Sequence, residues 1–72
     1  MRRLGRLREV RESKFLSQQE LAERAGMSRV AVTRLEGGLV TAQYATIRKL
    51  AEALGVEPSA LLDAETDVKT AA

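Results

Sequence analysis

Apolar residues recur at helical spacing along most of the chain. Leu4, Leu7 and Val10 stand three apart, which predicts an amphipathic first helix over residues 2–13. Lys14-Phe15-Leu16 interrupts that pattern and leads to Ser17-Gln18-Gln19-Glu20. This quartet is a capping box: the Ser17 hydroxyl accepts the Glu20 N–H, and the Glu20 carboxylate reaches back to the cap. Leu16 before the cap and Leu21 after it are placed to form a hydrophobic staple. A second helix is expected over Gln18–Ala25, too short to be stable without neighbours. Gly26 then supplies a left-handed stop. Met27 is apolar and turns inward, and Ser28 is a second N-cap. A third helix follows from Arg29, burying Val32 and Leu35 and ending near Gly37-Gly38. After a loop over residues 39–42, Tyr44, Ile47, Leu50, Ala51 and Leu54 mark a fourth helix that Gly55 stops. Pro58 suits the first turn of a short fifth helix carrying Ala60, Leu61 and Leu62. No strand-like alternation of useful length and no internal repeat is present.

Two short helices joined by a glycine turn can hold the second steeply across the first. Ala22 is small enough to permit that close approach, and Met27, Val32 and Leu35 fill the space between helices. The exposed face of the third helix is then left with Arg29, Val30, Thr33 and Arg34. Arg29 lies in the first turn, the part of a recognition helix that enters a DNA major groove most deeply. The arrangement predicted for Ser17–Gly37 is a helix-turn-helix.

Composition narrows the alternatives. At 72 residues the chain fits one domain, expected over residues 1–63 with a frayed tail over 64–72. A chain this short buries only roughly 60% of its unfolded surface, so its core is thin. It has neither cysteine nor histidine. That excludes disulfides and cysteine–histidine metal sites, and removes the usual general base near neutral pH. No cofactor and no metal are expected. The net charge is only +2, but residues 1–14 hold six basic against two acidic residues, while residues 55–72 hold four acidic against one basic. A basic end suits a polyanion or a solvated face. One Tyr and one Phe argue against recognition by stacking bases on aromatic rings, the usual single-strand mode. No apolar run approaches a membrane span, and no apolar segment follows the N-terminal arginines. A cytoplasmic location is expected by default.

The stretch LSQQELAERAGMSRVAVTRLEGG, with LREVRE upstream and IRKLAEALGVEPSALL downstream, resembles the Cro/cI-type helix-turn-helix family of phage repressors and small bacterial regulators. The resemblance covers residues 4–62. It implies an all-α, five-helix lambda-repressor-like domain that binds double-stranded DNA and is not an enzyme. By position, it implies a phosphate contact and bracing role for Gln18, base reading by Arg29, Val30, Thr33 and Arg34, and a DNA contact by the cap residue Ser28. Thr41 and Gln43 fall in a phosphate-facing loop. An Arg late in the first helix and a Glu late in the third commonly pair in the family, and here they are Arg11 and Glu36.

Three departures stand out. Phe15 replaces a usual glycine and is expected to pack as an extra core residue. Ala42 replaces a usual proline, which predicts a less fixed loop. Leu39 and Val40 replace residues that are often basic, leaving an apolar pair suited to a protein contact.

The reading is a transcriptional regulator, a repressor or autoregulator. A chain this small is expected to bind a palindromic operator as a homodimer, through the fourth and fifth helices and the tail, including Leu61 and Leu62. The alternatives are the antitoxin of a toxin–antitoxin pair, with a toxin as protein partner, or the controller protein of a restriction–modification system.

Overall fold

The computed structural model describes residues 2–38 and 40–62. Four α-helices follow in order: α1 (Leu7–Ser13), α2 (Gln18–Ala25), α3 (Arg29–Glu36) and α4 (Tyr44–Leu54). The expected fifth helix is a single 3-10 turn, Pro58–Leu61. None of these helices is long and apolar enough to cross a membrane.

Local chemistry sets the boundaries. Both halves of the Ser17 capping box form: the Glu20 N–H donates to Ser17 Oγ at 3.0 Å, and the Ser17 N–H donates to Glu20 Oε1 at 2.9 Å. Hydrogen bonding to Ser17, through its backbone N–H first and its side chain second, holds the Glu20 carboxyl below the usual carboxylate range. Ser28 caps α3 by accepting the Ala31 N–H at 3.1 Å. Gly26 ends α2 at φ +69°, which sends the chain sharply into α3 without the penalty a Cβ incurs there. Its neighbour Met27 donates its N–H to the Ala22 carbonyl at 2.9 Å, closing the turn.

The first helix is shorter than its periodicity predicts, starting at Leu7 and not at Arg2. The cause is a tertiary contact. Arg2 and Ala42 form an isolated antiparallel bridge, exchanging backbone bonds of 3.0 and 2.8 Å. This also revises the expectation of a loose loop before α4. A proline at 42 has no N–H to give to Arg2; alanine has one, and its buried methyl lies in the core.

Leu4, Leu7, Leu21, Val32, Leu50 and Leu61 are fully buried at the centre, with Ala22, Leu35, Ile47, Ala51 and Leu54 around them. Met27, Val10 and Leu16 are partly buried against this core. Leu61 therefore belongs to the core of the single chain and cannot serve as a dimer surface, whereas Leu62 is half-buried at its edge. Phe15 is the other correction. It is 93% exposed and sits at φ +59°. The left-handed backbone suited to the family's glycine persists and points the ring into solvent. The expected tail, residues 64–72, lies outside the described residues, as does Leu39.

Candidate nucleic-acid interface

α2 and α3 pack against each other across the Gly26 turn, and α3 leaves one side open. On that side Gln18, Arg29, Val30, Thr33 and Arg34 line a shallow recess of about 450 Å³. Val30 is 59% exposed on this side. Among the described residues, neither Arg29 nor Arg34 forms an ion pair. Two unpaired guanidinium forks beside an open groove are an anion-seeking surface with fixed donor geometry.

Arg34 also lines a second recess of about 350 Å³, shared with Val40, Thr41, Gln43 and Thr46. Thr41 and Gln43 are thus brought to the same flank of α3. Thr46 was not singled out from the sequence, although it stands one helical turn after Gln43. Ser28 lines neither recess, and its hydroxyl oxygen is engaged as the α3 cap.

Behind the reader face lies a polar chain that joins three helices. Arg11 is 8% exposed. Its Nε and Nη2 donate to the two Glu36 oxygens at 2.5 and 3.2 Å, and its Nη1 donates to the Leu16 carbonyl at 2.6 Å. Hydrogen bonding to Glu36, against the opposing effect of burial, raises the Arg11 pKa above its already high value. Glu36 also accepts from Gln18 Nε2 at 2.9 Å, and Gln18 Oε1 accepts from the Thr33 hydroxyl at 3.0 Å. No buried side-chain polar atom among the described residues lacks a partner. The ion pair locks α1 to the end of α3, and Gln18 carries the connection to the start of α2. The family resemblance implied the pair and a bracing role for Gln18, but not the link through Thr33.

A family model described as a helix-turn-helix domain matches residues 4–64. The chain belongs to the Cro/cI-like helix-turn-helix family. This is a family of DNA-binding transcriptional regulators and not of enzymes. The immunity repressor protein of Bacillus phage phi105 is 33% identical over 64 residues, covering 89% of this chain and 44% of the phage protein. The chain therefore spans less than half the length of that relative. Among solved structures, the restriction–modification controller protein C.AhdI from Aeromonas hydrophila is 41% identical with a TM-score of 0.77, over 83% of this chain and 92% of the other. The hypothetical transcription factor NHTF from Neisseria is 34% identical with a TM-score of 0.74, over 89% and 75% of the two chains. The family match ends two residues beyond the last described position and takes in the capping box, the Gly26 turn and all of α3.

Proposed function

We propose that this protein is a sequence-specific, double-stranded DNA-binding transcriptional regulator, a repressor or autoregulator acting at a palindromic operator. The observation that carries this reading is the open face of α3, where two unpaired arginines, Val30, Thr33 and Gln18 share one recess. α3 enters the major groove, with Arg29 and Arg34 donating to guanine O6 and N7. Val30 meets a thymine methyl. Gln18, Thr41 and Gln43 meet phosphates and set the docking angle. Ser28 supports the interface through the α3 cap.

We propose a lambda-repressor-like domain over residues 1–63, with the Pro58–Leu61 turn in place of a fifth helix. One copy presents few base contacts, so the active species is a homodimer on half-sites about one DNA turn, 34–36 Å, apart. With Leu61 buried, the dimer surface falls to the edge formed by Tyr44, Arg48 and Leu62. A second, narrower reading is a controller protein of a restriction–modification system, favoured by the likeness to C.AhdI.

Selection of bound duplexes from a random library tests the proposal. A palindromic consensus is expected. Arg29→Ala should change the half-site preference, whereas Gln18→Ala should weaken binding to all duplexes while preserving the preference read by Arg29 and Arg34. Absence of enrichment at any salt concentration would falsify the DNA reading. Sedimentation velocity with the recovered duplex should show two protein chains per site; one chain per site rejects the dimer.

A further inference from the structure

The polar chain behind the reader face does more than brace it. It sets which hydrogen-bonding character Thr33 can show to a base. The chain of constraints begins at Arg11, whose guanidinium has donors only. It takes both oxygens of Glu36, a carboxylate that can only accept. The Gln18 amide must therefore turn its NH2 toward Glu36, at 2.9 Å. The reverse orientation would set two acceptor oxygens against each other. With its nitrogen so committed, Gln18 presents Oε1 to Thr33. A hydroxyl has one proton, and the Thr33 hydroxyl lies 3.0 Å from Gln18 Oε1 and 3.0 Å from the Arg29 carbonyl. Both neighbours are acceptors, so the proton is held inward whichever of them takes it.

We infer that Thr33 is a specificity-determining residue that meets DNA as an acceptor oxygen and a methyl group, never as a donor, and so selects an A·T pair. The inference rests on the reading of α3 as the major-groove helix. Guanine offers only the acceptors O6 and N7 in that groove, and an inward-turned hydroxyl has nothing to give them. The pair that offers both a methyl group and an amino donor there is A·T. Val30 lines the same recess and is exposed, extending the apolar part of the contact. The face thus has a methyl-bearing, accepting centre between two arginines that donate. Arg11, which lies behind the face and is buried, acts on this choice as a positioning residue through Glu36 and Gln18.

The test uses the full chain and the duplex recovered by selection. Each thymine in turn is replaced by uracil, removing its methyl, and each adenine by unsubstituted purine, removing its amino group. Binding is measured by fluorescence anisotropy for the parent protein, Thr33→Ser and Thr33→Val, with circular dichroism confirming that both variants fold. One A·T position per half-site should lose about three- to tenfold in affinity on loss of the amino group. Thr33→Val should abolish that sensitivity and keep the methyl one. Thr33→Ser should keep the amino sensitivity and lose the methyl one. If the position sensitive to Thr33 is instead a guanine, detected by 7-deazaguanine replacement, Thr33 donates and the inference is overturned while the DNA reading stands. The same holds if no position depends on Thr33. A library yielding no duplex overturns both.

Discussion

Phe15 shows how a single residue can keep a backbone conformation it does not favour. At φ +59° with its ring 93% exposed, it bears the left-handed penalty without compensating burial. Phe15→Gly should therefore raise stability by about 1 kcal/mol, less the extra chain entropy that glycine carries when unfolded. A urea midpoint that stays level or falls would show that the ring contributes contacts in the folded state. Arg11 and Glu36 behave in the opposite way. Each is nearly enclosed, with side chains 10% and 4% exposed. Glu36→Ala leaves the buried guanidinium with the Leu16 carbonyl and the more distant Glu12 carboxylate at 3.9 Å, and should cost about 3 kcal/mol or more. The double change Arg11→Met with Glu36→Leu should cost less than Glu36→Ala alone, because no buried charge is left without its partner. Chemical denaturation of the three proteins measures the difference. The pair was legible through the family resemblance alone. The exposure of Phe15 was not, because an aromatic residue beside a helix end reads equally well as core or surface until its neighbours are placed.

At the scale of elements, α2 and α3 have eight residues each, too few to persist alone. Their caps matter accordingly. The capping box holds the Glu20 carboxyl below the usual carboxylate range. Its proton is therefore bound more weakly in the folded chain than in the unfolded one. The resulting stability is present above the unfolded value and is lost as pH falls through the folded one. Ser17→Ala should destabilise by about 1 kcal/mol at neutral pH, whereas Glu20→Ala, which removes the carboxylate, should open a gap from the parent that narrows on acidification. A Glu20→Ala gap that stays constant from pH 7 to pH 3 would show that the carboxylate contributes nothing. Both caps, the Gly26 turn and the end of α4 at Gly55 were readable from the sequence, since each depends on residues within one turn of chain. The start of α1 was misplaced because apolar spacing alone cannot report that residue 2 is drawn away to pair with residue 42.

Across the whole molecule, that bridge ties the N-terminal segment to the loop that carries Thr41 and Gln43 toward the α3 face. It provides long-range order where the sequence suggests looseness. Ala42→Pro should remove the 2.8 Å bond to the Arg2 carbonyl and cost about 1–3 kcal/mol. Hydrogen exchange should then quicken at the N-terminal segment and around Thr41, while α2 and α3 keep their protection. Unchanged exchange there would show that the loop is held by packing alone. The same scale decides the fate of the C-terminal leucines. Leu61 is drawn into the centre beneath α4 and α1, and only Leu62 is left at the edge.

The sequence by itself determined the helical class, the capped α2–turn–α3 unit and the identity of the side chains on the open face of α3. These follow from periodicity, caps and one glycine, all of which act over a few residues. Only the tertiary structure decided how the face is wired. The bond from Thr33 to Gln18, the inward turn of its proton and the bridge from Arg2 to Ala42 join groups 15 and 40 positions apart. Hydrogen-bond polarity passes from atom to atom through space, so it becomes visible only when Arg11, Glu36, Gln18 and Thr33 stand side by side.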